Sequence, residues 1–209
     1  MRNNNTAVFL FMFGAGIVLS SWLTGGMDSE PEVPTIPADL KGVFIDAPAV
    51  TLPEFNFTDQ HNEPFTNNNF DGKWSLMFFG YTSCPDVCPT TMSVLEKLKR
   101  QESTTKDTQY VFASVDPKRD TPNVLKEYVA YFDDDFVGVT GTKTELDKFK
   151  EPLGVIYDYE TETAADEYIV NHFAAIYIIA PDGKQRGYVL PPHSVDQVSR
   201  AYQLIRDAG

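Results

Sequence analysis

The sequence predicts an α/β domain built on a central mixed sheet flanked by helices. Three observations carry this. Residues 74–82 ("WSLMFFGYT") and 110–115 ("YVFASV") are uninterrupted apolar runs of strand length, the pattern of strands buried on both faces. Each is followed by a stretch with apolar residues at helical spacing. A third run, residues 174–183 ("AAIYIIAPDG"), ends in a Pro-Asp-Gly turn and is answered by "QRGYVLP", which reads as a hairpin. Strand–helix–strand order supplies parallel pairs and the terminal hairpin supplies antiparallel ones, so the sheet is mixed.

In chain order, the first element lies outside that sheet. Residues 7–23 ("AVFLFMFGAGIVLSSWL") carry no charge. As a helix at ~1.5 Å per residue they reach about 26 Å, just short of a typical hydrocarbon core. Arg2 precedes the run, and Asp28, Glu30 and Glu32 follow it. That asymmetry predicts a cytoplasmic N-terminus and an exported remainder. Residues 1–26 therefore read as an N-terminal membrane anchor. A cleaved signal peptide is the alternative, since Ser20, Ser21, Gly25 and Gly26 are small, but a clean A-x-A pattern is missing. With no cysteine after the run, a lipoprotein is excluded. The expected location is a bacterial inner membrane, crossed once, with the soluble domain in the periplasm. Residues 27–42 ("MDSEPEVPTIPADLKG") are rich in proline and acid and read as a linker. The globular domain is expected over residues 43–209.

That domain opens with an added hairpin: "VTLPEFNFTDQHNEPFT", residues 50–66, alternates apolar and polar residues around a turn at Asp59 to Asn62. After the first buried strand, Met92, Leu95 and Leu98 mark one face of a helix. After the second, Thr121 is a natural N-cap with Pro122 at the first helical position, and Leu125, Tyr128, Val129 and Phe132 form the apolar face. "FVGVTG" (136–141) is a third strand, and Thr144 is read as the cap of a short helix through Phe149. Residues 155–173 ("VIYDYETETAADEYIVNHF") form a long hairpin. The closing hairpin precedes a last helix from Val195 to Arg206, capped by Ser194.

Charge narrows the function. The net charge is -13, from 30 acidic against 17 basic residues. Such a chain repels phosphate backbones, which argues against nucleic-acid binding. The acidic runs at 133–135 and 158–167 read as solvated loops.

The chemistry concentrates in "GYTSCPDVCPTTM", residues 80–92, which hold both cysteines of the chain, Cys84 and Cys88. Pro85 and Pro89 push the residue before each out of helical geometry, making Cys88 a plausible N-cap with Pro89 at the first helical position. Both sulfurs then stand at a helix entrance past the C-terminal end of a buried strand, where sites collect in open α/β sheets and where thiolate is favoured. A structural disulfide is the bland alternative. Such a bridge closes a very short loop, for which loop-entropy stabilisation is least. A redox pair or a metal pair explains the spacing better. A metal needs a third ligand among His61, His172 and His193. His61 falls in a turn and His193 in a helix-entry loop. His172 lies just before the strand of the terminal hairpin. In a thioredoxin-like sheet, the loop there faces the helix entrance that carries the cysteines.

"GYTSCPDVCP", then "SVDPKRDTP", then "YIVNH…YIIAPDG" resembles the Sco/SenC family, over roughly residues 49–205. The resemblance implies a thioredoxin-like fold, a membrane tether, copper as cofactor and a part in assembling cytochrome c oxidase. It maps the family's copper ligands onto Cys84, Cys88 and His172. It assigns Asp116, Arg119 and Asp120 to shaping the loop beside the site. Asp86, Asp116, Asn171 and Phe173 are the candidate neighbours of the ligands. The family's usual aspartate before the histidine and hydroxyl residue after it are replaced here by Asn171 and Phe173, which predicts altered tuning of the imidazole. Two soft thiolates and one imidazole suit Cu(I), and hold Cu(II) with an added ligand.

The expected function is that of a copper metallochaperone, not an enzyme, serving the dinuclear copper centre of cytochrome c oxidase. Its expected partners are a copper-accepting oxidase subunit, a thiol reductant and an upstream copper donor. The competing reading is a periplasmic thiol-disulfide oxidoreductase that keeps the oxidase copper-ligand cysteines reduced, with Cys84 and Cys88 cycling through a disulfide.

Overall fold

The computed structural model describes residues 34–101, 106–164 and 167–208. The expected anchor and the linker through residue 33 lie outside the described residues. No helix among the described residues is long and apolar enough to cross a membrane. Residues Val33–Gly209 form one compact unit.

The chain enters as strand β1 (Val43–Thr51), then the hairpin β2 (Asn56–Asp59) and β3 (Pro64–Thr66), and a 3-10 turn at Asn67–Phe70. Strand β4 (Trp74–Gly80) leads into helix α1 (Val87–Gln101), and β5 (Thr108–Ser114) into α2 (Pro122–Phe132). Then come β6 (Val137–Thr140) and the short helices α3 (Lys143–Asp147) and α4 (Lys150–Leu153). The hairpin β7 (Tyr157–Ala164) and β8 (Glu167–His172) follows, then β9 (Ile176–Ile179), β10 (Lys184–Val189) and α5 (Val195–Ala208). Among the described residues, eight strands form one sheet in the order β1-β10-β9-β4-β5-β6-β2-β3, and β7 and β8 pair with each other in a second.

The pairing is mixed, as strand order requires. β4 and β5 run parallel, as do β5 and β6, whereas β9 runs antiparallel to β4 and to β10. β4 is buried at every position, which is why its sequence shows no alternation. Its residues still alternate between two layers. On one face Phe78 meets Phe112, which meets Tyr128 of α2, and Trp74 meets Tyr202 of α5. On the other face Phe79 meets Phe149, which closes a cluster with Phe55 and Phe57.

Two local readings need correction. The cap of α3 is Thr142, whose hydroxyl accepts from the Glu145 N–H at 3.3 Å, and not Thr144, which lies inside the helix. Strand β1 had no sequence signal. It is an edge strand that carries Pro48 and slips register against β10 between Ile45 and Val50, so no unbroken period of two survives. The caps at Thr121 and Ser194 form as expected, accepting from Val124 N–H at 3.5 Å and Gln197 N–H at 3.2 Å.

Candidate metal centre

Cys84 lies in the turn between β4 and α1, its N–H donating to the Tyr81 carbonyl at 3.2 Å. Helix α1 begins at Val87, so Cys88 sits within the first turn and not at the cap position that Pro89 suggested. Pro89 is tolerated there because first-turn N–H groups lack intrahelical partners. Both thiols are free. Cys88 is fully buried, and Cys84 retains 8% exposure.

His172 ends β8, 84 residues beyond Cys88, and its Nε2 stands 3.2 Å from Cys88 Sγ. The ligand atoms of Cys84, Cys88 and His172 all lie within 4.8 Å of one another, the one such His/Cys/Asp/Glu group among the described residues. The imidazole is walled edge-on by Phe78 at 6.0 Å and Tyr81 at 5.8 Å between ring centres. Its other nitrogen, Nδ1, is buried with no hydrogen-bond partner among the described residues.

The two thiols are electrostatically unequal. A hydrogen bond from Cys88 pulls Cys84 down to about 3 against the opposing effect of burial, helped by His172 and by backbone N–H groups at Asp86 and Cys88. The same sulfur–sulfur bond, with burial, pushes Cys88 up. The bond between the sulfurs therefore favours the proton on the deeper one and thiolate on the shallower one. A soft cation held between them would displace that proton. Two sulfurs and an imidazole nitrogen form a donor set for copper, whereas calcium and magnesium require oxygen.

The remaining residues singled out in the sequence fall as follows. The Asp86 side chain is exposed, and this residue reaches the site through its backbone N–H. Asn171 faces outward, its amide donating to Glu160 at 2.5 Å, because neighbours on a strand point to opposite faces. Phe173 is half-buried, its N–H donating to the Ile156 carbonyl at 2.8 Å. Asp116 is fully buried and accepts from the Tyr168 hydroxyl and from Arg119 Nε. His61 is exposed in the β2–β3 turn, and His193 is bonded to Thr91 and the Val189 carbonyl. Phe78, Tyr81 and Tyr168 were not singled out. The signal for Tyr168 was its place on the same strand face as His172.

Gly80 leaves the room that Cys88 occupies. A Cβ there would lie 2.8 Å from Cys88 Sγ, 2.9 Å from the Phe112 ring and 3.0 Å from the Phe78 ring. These neighbours are buried, so making room disturbs packed atoms. Gly80→Ala is expected to destabilise the domain by about 1–3 kcal/mol, read as a lower denaturant midpoint at unchanged m-value. An unchanged midpoint would show that Cys88 shifts freely.

Residues 45–205 match the family described as SCO1/SenC. The chain belongs to the SCO1/SenC family. A protein of Stutzerimonas stutzeri is 37% identical over 158 residues, covering 75% of this chain and 77% of that protein. The human mitochondrial SCO1 homolog is 35% identical over 137 residues, which are 64% of this chain and 46% of that protein. Among solved SCO1/SenC structures, Arabidopsis thaliana ScoI with copper bound matches with TM-score 0.67 at 31% identity, covering 74% of this chain and 98% of that one. Bradyrhizobium japonicum ScoI with copper bound matches with TM-score 0.66 at 30% identity, covering 76% and 99%. The mixed sheet with flanking helices is thus the thioredoxin-like architecture of the SCO1/SenC fold.

Proposed function

We propose that this chain is a copper metallochaperone of cytochrome c oxidase assembly. It holds one copper ion through Cys84, Cys88 and His172 and passes it to the dinuclear copper centre of the oxidase. The observation that carries this is the convergence of a distant imidazole on two buried sulfurs, with Nε2 at 3.2 Å from Cys88. Membership in a family with copper-bound structures supports it. Copper is the cargo, and it leaves by exchange of one thiolate ligand for another. Cys84, the shallower sulfur, is the ligand an incoming thiolate meets first. The apolar stretch at residues 7–23 would tether the domain to a bacterial inner membrane on its periplasmic side.

Metal analysis of the full-length protein tests this reading. Reduced protein should carry close to one copper per chain, and protein oxidised to the Cys84–Cys88 disulfide almost none. His172→Ala should lower copper affinity at least tenfold while the disulfide still forms. Unchanged affinity would remove His172 from the site. One feature favours the oxidoreductase reading: the bond from Cys88 pulls the Cys84 thiol well below its ordinary value, which favours thiolate, the form that attacks disulfides. Under that reading, loss of His172 would leave oxidase assembly intact.

A further inference from the structure

The hairpin that carries His172 has no ladder to the eight-stranded sheet. Side chains must therefore fix where its end sits, and the loop after β5 supplies them. Buried Asp116 accepts from the Tyr168 hydroxyl at 2.5 Å and from Arg119 Nε. Arg119 Nη1 donates to the Tyr168 carbonyl at 2.9 Å, and its guanidinium carbon lies 3.8 Å from the centre of the Tyr168 ring. Tyr168 shares a strand face with His172. The guanidinium also lies 5.6 Å from the centre of the Tyr81 ring, which is 5.8 Å from that of His172.

We propose that Arg119 is a positioning residue for metal binding. Together with Asp116 it clamps Tyr168, and so holds the hairpin where His172 meets Cys84 and Cys88. This rests on the three residues being the metal ligands. The planar guanidinium is suited to the task because it stacks and donates in two directions at once. The clamp's hydrogen bonds to Tyr168 act on the imidazole side of the site, and toward the sulfur side Arg119 meets the Tyr81 ring. The sulfurs are placed by β4 and α1, whereas the imidazole is placed by the hairpin. The hairpin is also held at its base, where the Tyr157 hydroxyl donates to Asp147 at 2.7 Å, so cutting the clamp loosens it without releasing it.

A double-mutant cycle in the reduced full-length chain decides the matter, with Cu(I) affinity measured by competition against a chromophoric Cu(I) chelator. Arg119→Gln should lower affinity about tenfold when His172 is present, the scale of orienting contacts around metal ligands. It should have no further effect in a His172→Ala background, and the Cys84–Cys88 disulfide should still form. Tyr168→Phe, which keeps the ring and loses the hydroxyl, should repeat the pattern at smaller amplitude, and serves if Arg119→Gln does not fold. An equal loss in both backgrounds would overturn the clamp, since the damage would then reach the sulfurs. So would an unchanged affinity with His172 present. If His172→Ala has no effect, the ligand assignment falls and the clamp falls with it. If His172→Ala weakens binding and Arg119→Gln does not, the clamp alone falls.

Discussion

Cys88→Ser is expected to lower the Cu(I) affinity of the reduced protein at least a hundredfold, about 2.8 kcal/mol. Cys88 touches both other ligands: it hydrogen-bonds Cys84, and His172 Nε2 lies 3.2 Å from its sulfur. It is also the fully buried member of the set, so its geometry is the least adjustable. A serine hydroxyl is a hard donor that stays protonated at neutral pH, and so matches a soft monovalent cation poorly. Competition against a Cu(I) chelator reads the affinity, and loss of the sulfur-to-copper absorption band of the Cu(II) form reads the ligand. A loss smaller than tenfold would place the buried sulfur outside the site.

The residues of this site were legible to different depths. The cysteines were plain because their spacing, the two prolines and the preceding apolar run sit within one short stretch. His172 became legible only through topology, since nothing within its own neighbourhood marks it as a ligand. The roles of its neighbours were less accessible. Asn171 was weighed as an orienting group because it adjoins His172 in sequence, yet strand alternation turns it to the outer face, where it meets Glu160. Tyr168, four positions back, faces the site side. The same alternation could have found it once residues 167–172 were taken as a strand with a fixed inward face. The fold divides similarly. Strands buried on both sides announce themselves as apolar runs, and caps such as Thr121 announce themselves chemically. Edge strand β1 is defined by its partner β10, which no local pattern encodes.

Asp120→Ala should cost at least about 3 kcal/mol of folding stability, because it strands several buried donors at once. The Asp120 carboxylate accepts from the Thr82 N–H at 2.9 Å, the Thr82 hydroxyl at 2.6 Å and the Ser114 hydroxyl at 2.5 Å. It is fully buried, and burial raises its pKa against the pull of those three bonds. The bonds tie the loop after β5 to the turn after β4, two residues before Cys84. The expected damage therefore differs from that of Arg119→Gln. Losing Asp120 loosens the turn that carries a sulfur, so copper affinity should fall even in a His172→Ala background. Asp120→Asn keeps the volume but sets an amide N–H₂ against donors, and should cost roughly half as much. Denaturant unfolding at constant m-value measures both. A cost below about 1 kcal/mol for Asp120→Ala would mean that water replaces the carboxylate, and that the loop after β5 does not hold the cysteine turn.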